Sequence, residues 1–188
     1  MRIIAGSAGG VPLKVPKLVT RPTSDRVREA VFSILGTRVA GACVLDLFAG
    51  SGALGIEALS RGAAAATFVD SSRSACETVR ANLAKAKLAG ASKVICADVF
   101  RSLDRLPPAD LIFADPPYAR GGGGGVGRDL AAELLGRAEP LGRLLRPGGR
   151  IVVETAAGAT HGGAHPWEPL DHRTYGSTAI WIFGLPVS

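Results

Sequence analysis

From Cys43 onward the chain alternates short β-prone runs with stretches of helical periodicity, which limits it to a mostly parallel sheet with crossover helices. The runs are CVLDLF from Cys43, ATFVD ending at Asp70, KVICAD ending at Asp98, ADLIFADPPY ending at Tyr118, and RIVVET from Arg150. Between them, helices are expected over 53–61, 72–88 and about 128–139. The tail WEPLDHRTYGSTAIWIFG reads as two strands turning near Tyr175 and Gly176, so an antiparallel hairpin finishes the sheet. Ahead of the alternation, RPTSDRVREAVFSILG offers Thr23 or Ser24 as an N-cap and Asp25 in the first turn. Its apolar residues at 27, 30, 31, 34 and 35 before Gly36 make an amphipathic helix. Earlier still, RIIAG and VPLKVP flank SAGG as the two arms of a hairpin without evident core partners. The expected division is an N-terminal hairpin extension, residues 1–20, and one α/β domain, residues 21–188. A chain of 188 residues, 47% hydrophobic and 20% charged, can bury a core of that size.

Charge is concentrated at the N-terminal end. Residues 1–40 carry Arg2, Lys14, Lys17, Arg21, Arg26, Arg28 and Arg38 against Asp25 and Glu29, a surplus of five within a net charge of +6. A basic segment on a nearly neutral body suits a polyanion, because phosphate contacts supply much of nucleic-acid affinity. Arg21, Arg26 and Arg28 are therefore candidate nucleic-acid contacts. Cys43, Cys76 and Cys96, with no CxxC among them, argue against a disulfide framework or zinc knuckle and read as small buried hydrophobes. His161 and His165 stand in an H-x-x-x-H spacing, but HGGAH is too glycine-rich for a helix that would align two imidazoles, and no metal is expected. The apolar runs are interrupted well short of a membrane span, and MRIIAGSAGG has too short an apolar core for a secretion signal. A cytoplasmic protein without membrane contact is expected. The glycine run GGGGGVG, 121–127, cannot hold a fixed shape unaided.

The segment DLFAGSGALG, beginning at Asp46, matches a dinucleotide-binding glycine turn letter for letter, yet its charge points elsewhere. A pyrophosphate held at a helix N-terminus is opposed by a carboxylate at the end of the preceding strand, and Asp46 lies four residues before Gly50. S-adenosyl-L-methionine carries an ammonium and a sulfonium, which a carboxylate there attracts. Gly50 and Gly52 form the turn beside it. Asp70, at the end of the next strand, can accept both ribose hydroxyls, although nicotinamide enzymes also use an acid at that place. Asp98 follows the third strand, where it can accept from the adenine amino group.

ADPPY follows the fourth strand. Pro116 and Pro117 fix the backbone and lack N–H donors, so the Asp115 carboxylate and the Pro116 carbonyl make a rigid pair of acceptors. Such a pair suits an exocyclic amine on a base that stacks against Tyr118. Its nitrogen would then be aimed at a methyl donor, for which in-line alignment matters most.

RPTSDRVREAVFSIL, VLDLFAGSGALGIEALSRGA and DLIFADPPY together resemble the bacterial methyltransferases that modify the N2 amine of a guanine in small-subunit ribosomal RNA. The similarity extends to the initial RIIAG and the late RTYG. It implies the seven-stranded class I methyltransferase sheet. It also implies that Asp46, Gly50 and Gly52 hold the methionine end of S-adenosyl-L-methionine, Asp70 its ribose and Asp98 its adenine, with Asp115 to Tyr118 on the target guanine. The implied partner is ribosomal RNA within a small subunit or its assembly intermediate, met by a monomer. The chain departs from these proteins at Gly9-Gly10-Val11-Pro12-Leu13, where a G-R-x-L pattern with a basic residue or two is usual, so the details of RNA docking by the hairpin are not carried over. Two other readings remain open: a DNA amino-methyltransferase acting on adenine N6 or cytosine N4, and a nucleotide-binding Rossmann module without transferase activity.

Overall fold

The computed structural model describes residues 1–16, 24–117, 128–160 and 166–186. Seven strands form its centre: β1 (Cys43–Leu47), β2 (Ala65–Asp70), β3 (Ser92–Cys96), β4 (Ala109–Ala114), β5 (Leu145–Ala156), β6 (Glu168–Tyr175) and β7 (Thr178–Gly184). They lie in one sheet in the order β3-β2-β1-β4-β5-β7-β6. β1 to β5 pair in parallel, while β7 runs antiparallel to β5 and β6 antiparallel to β7. This is the expected α/β sheet with its terminal hairpin. β1 and β4 read as unbroken apolar runs because helices cover both of their faces.

On one face lie α1 (Asp25–Leu35), α2 (Ala53–Ser60) and α3 (Arg73–Lys85), packed with Phe32, Phe68, Phe113 and Ile182. On the other lie α4 (Val99–Ser102), α5 (Leu130–Gly136) and α6 (Ala138–Leu144), packed with Leu47, Ile112, Val153 and Trp181. α1 begins as the sequence predicts, with the Ser24 hydroxyl accepting from the Val27 amide at 3.3 Å. The single helix expected over 128–139 is instead two. Pro140 has no N–H to donate back to Gly136, so the chain breaks at Arg137 and starts again. β5 also starts earlier than RIVVET, at Leu145, with its register to β4 shifting between Ala109 and Leu111.

The N-terminal segment forms the expected hairpin, bridged at Arg2 and Pro12, with Ile3 N donating to Val11 O and Gly10 N to Ile3 O. Contrary to the sequence expectation it has core partners, since Ile3, Ala8 and Leu13 are buried in the cluster that holds α1 to α3. The hairpin covers the outer side of α2, and every residue of that helix is buried in consequence.

Three residue expectations are corrected. Arg28 is no free nucleic-acid contact: it is 0% exposed, and its Nη2 donates to the Asp25 carboxylate at 2.9 Å and to the Arg2 carbonyl. Position 28 falls within the buried stripe of α1, beside Val27, Val31 and Leu35. The cysteines are not uniformly buried either, for only Cys76 is, whereas Cys43 is half-buried and Cys96 exposed on the outermost strand β3. Arg26 remains on the solvent side of α1. Arg21, Thr23, Tyr118, the 121–127 glycine run, His161 and His165 lie outside the described residues. Among the described residues no cluster of potential metal ligands occurs, and no helix is long and apolar enough to cross a membrane.

Candidate cofactor and base site at the sheet's carboxyl edge

Four aspartates end four neighbouring parallel strands. Asp98 follows β3, Asp70 closes β2, Asp46 lies near the end of β1, and Asp115 follows β4, so along the sheet edge they run Asp98, Asp70, Asp46, Asp115. At about 4.8 Å per strand the row spans roughly 14 Å. Between β1 and β4 the strand order reverses direction, which opens a crevice at the carboxyl ends of the strands. The predicted cofactor residues fall on one side of that switch point and the Asp-Pro-Pro turn on the other.

The glycine turn is held from beneath and from both sides. Gly50 and Gly52 adopt φ values of 55° and 76°, the left-handed region that glycine enters without strain. Gly50 N donates to Asp70 Oδ2 at 2.8 Å, and Ser72 N donates to Asp70 Oδ1 at 2.8 Å. Asp70 therefore ties the turn to the start of α3, and each oxygen keeps a further lone pair for a ribose hydroxyl. Asp46 is placed differently from the sequence expectation. It is 2% exposed, and its Oδ2 accepts from Gly55 N at 2.9 Å, so the carboxyl braces α2 under the turn and does not open directly onto the crevice. Gly55 has to be glycine here, since a Cβ would stand 2.4 Å from Phe68 Cε1.

Burial pushes the Asp46 carboxyl up to about 7, with the Asp70 charge adding to the shift and the Gly55 hydrogen bond opposing it. The folded protein thus holds a proton there that the unfolded chain releases near pH 4, and this contribution to stability is lost as pH rises towards 7. A cation bound above the turn favours the carboxylate instead. S-adenosyl-L-methionine binding is expected to release up to about one proton at pH 6 and almost none at pH 8, with affinity rising through that range. Calorimetry in buffers of different ionisation enthalpy measures this directly. Asp46→Asn should abolish the release, and equal proton uptake by wild type and variant at pH 6 would show that Asp46 does not sense the cofactor.

Asp98 is exposed and caps α4, its Oδ1 accepting from Arg101 N at 3.0 Å. Beside it the half-buried rings of Phe48 and Phe100 meet edge to edge at 5.9 Å, with the Arg128 guanidinium over Phe100. Phe48 holds φ at 59°, an uncommon conformation for a residue with a side chain, at the point where β1 turns into the glycine loop. Beneath Asp70, the buried Cys76 thiol donates to the Asp70 carbonyl at 3.4 Å; burial and the neighbouring Cys96 push it up to about 12, so it stays protonated. Across the switch point Asp115 is half-buried, Pro116 buried and Pro117 exposed.

Sequence reasoning missed two buried polar residues that support this edge. Asn82, on the inner face of α3, donates to the Ser51 carbonyl of the glycine turn and the Lys14 carbonyl, both at 2.9 Å, and accepts from Lys14 N. Glu57 of α2 accepts from Ile4 N at 2.7 Å, Ala5 N at 3.1 Å and Arg61 Nε at 2.7 Å. One ties the glycine turn to the N-terminal segment, and the other fastens that segment to α2.

The family model described as Conserved hypothetical protein 95 matches residues 1–184 of the chain. Among curated proteins, the chain is 45% identical over 123 residues to YlbH of Bacillus subtilis, provisionally named an rRNA methyltransferase; this covers 63% of the chain and 67% of the relative. It is 44% identical over 123 residues to ribosomal RNA small subunit methyltransferase D of Escherichia coli strain K12, covering 64% of the chain and 62% of that protein, just under two thirds of its length. Among solved structures, yhhF of Escherichia coli, provisionally named a methyltransferase, superposes with a TM-score of 0.81 at 32% identity, covering 100% of this chain and 99% of that one.

Proposed function

Because the chain belongs to the Conserved hypothetical protein 95 family, we propose that it is an S-adenosyl-L-methionine-dependent ribosomal RNA methyltransferase whose target is the exocyclic N2 amine of a guanine in the small subunit. The observation that carries this reading is the row of Asp98, Asp70, Asp46 and Asp115 at the carboxyl ends of adjacent strands, with the Asp-Pro-Pro turn across the switch point. The residues present fit the cofactor. Asp70 keeps free lone pairs for the ribose, Phe48 and Phe100 offer apolar surface beside Asp98 for the adenine, and Asp46 under the glycine turn supplies negative potential for the methionine end. When bound, S-adenosyl-L-methionine supplies a methyl group on a positively charged sulfur.

The chain's own residues do the rest. Asp115 and the Pro116 carbonyl accept the two N–H bonds of the target amine and aim its nitrogen across the switch point. As the nitrogen–carbon bond forms and the sulfur–carbon bond breaks, positive charge grows on the nitrogen, and the Asp115 carboxylate stabilises it. The surplus proton then leaves the nitrogen through Asp115 to solvent. Tyr118 would stack on the base, and Arg21 with exposed Arg26 would hold flanking phosphates. The protein acts as a monomer in the cytoplasm, on the small subunit or its assembly intermediate.

The test is the product. Incubation with methyl-labelled cofactor and, separately, free small-subunit RNA, assembled subunits and DNA should yield N2-methylguanosine from a ribosomal substrate. N6-methyladenine or N4-methylcytosine as the sole modified nucleoside would overturn the guanine assignment.

A further inference from the structure

β4 and β5 run in parallel with Ala114 opposite Val153, so the positions that follow, Asp115 and Glu154, sit side by side at the carboxyl edge. Strand alternation puts both on the face that carries α1: Phe113, two residues before Asp115, and Val152, two before Glu154, belong to that core cluster, as does Ile180 opposite Glu154. Glu154 is 7% exposed among apolar neighbours, an expensive place for a carboxylate unless the site uses it. No role in the reading above requires it.

We propose that Glu154 is the residue that selects guanine, by accepting the hydrogen bond of the ring N1–H while Asp115 and the Pro116 carbonyl hold the N2 amine. This rests on the guanine-N2 reading. Guanine presents three donors in a row on that edge, two on N2 and one on N1, and the three groups facing them are acceptors only. Adenine and cytosine place a ring-nitrogen lone pair beside their exocyclic amine. Against the Glu154 carboxylate that lone pair is repelled and gains no hydrogen bond, so a base of either kind is rejected by an unmatched acceptor even where its amine fits Asp115.

The experiment replaces the target guanosine in the substrate RNA by 2-aminopurine riboside, which keeps the exocyclic amine but has a lone pair in place of N1–H. Wild-type kcat/KM should fall on the order of 100-fold or more, since sites built around a substrate N–H discriminate strongly against its loss. Glu154→Gln can turn an amide N–H towards the lone pair, so its preference for guanosine should shrink to a few-fold or reverse, while Glu154→Asp keeps the charge and should keep the preference at a lower rate. Unchanged affinity for S-adenosylhomocysteine shows that a variant is folded. If Glu154→Gln retains the full wild-type preference, or the wild type uses both substrates equally, Glu154 does not read N1–H and the proposal fails. A wild-type product other than N2-methylguanosine would instead bring down the underlying guanine reading, and it is visible before any variant is made.

Discussion

Replacing Asp115 with asparagine is expected to lower turnover about 10²–10³-fold while leaving S-adenosylhomocysteine affinity close to wild type, the scale of losing one preorganised electrostatic contact to a developing charge. A guanine N2 amine is conjugated with its ring and weakly nucleophilic. It becomes reactive only as its lone pair is drawn out of conjugation, and the nitrogen turns positive as the methyl arrives. A carboxylate at the end of β4 favours both changes; an amide of the same size carries no charge, and one of its two faces meets the amine with N–H donors. Asp115 stands across the switch point from Asp70 and the glycine turn, so cofactor binding should not register the change. The measurement is single-turnover methyl transfer at saturating RNA and cofactor, with calorimetry on the cofactor product. Turnover within a few-fold of wild type would remove the carboxylate from the chemistry.

The parts of this molecule that were legible in its sequence are those set by local pattern. Each parallel strand announced itself as an apolar run, and the aspartates could be assigned to strand ends because an acid closing such a run has nowhere else to lie. The glycine turn was legible because Gly50 and Gly52 take a conformation that other residues avoid. What escaped depended on partners distant in sequence. Asp46 could be placed near the turn, but only the fold shows its oxygen engaged by Gly55 N. Arg28 looked like part of a basic footing because its charge is plain, whereas its position beside Val27 and Val31 on the buried stripe was the stronger signal. Asn82 shares its helix face with Cys76, Val79 and Leu83, a hint that it is a buried link and not a surface amide. The break at Arg137 could have been read from Pro140, whose missing donor a long helix cannot absorb.

The same logic applies most strongly to α2, whose sequence ALGIEALS is apolar on every side except for Glu57 and Ser60, the pattern of a helix with no solvent face. Something had to cover it, and the two polar residues had to serve whatever did. They serve the N-terminal hairpin: Ser60 Oγ accepts from Ala8 N and donates to Ala5 O, and Glu57 receives Ile4 N, Ala5 N and Arg61 Nε. Glu57→Ala leaves two backbone N–H groups without an acceptor and deprives the Arg61 guanidinium, lying over Phe32, of its ion-pair partner. Removing one member of a buried pair of this kind costs about 3–5 kcal/mol. Urea denaturation of wild type and variant should show a loss of that order in unfolding free energy. Glu57→Gln, which still offers one carbonyl oxygen to the Ile4 and Ala5 amides, should lose less. Because Asp70 and Asn82 still hold the glycine turn, S-adenosylhomocysteine affinity at low temperature should stay near wild type, and limited proteolysis should find residues 1–16 newly accessible. A loss below about 1 kcal/mol, within the range of an exposed ion pair, would mean that the hairpin is held by Ile3, Ala8 and Leu13 alone and that the buried carboxylate contributes nothing to docking it.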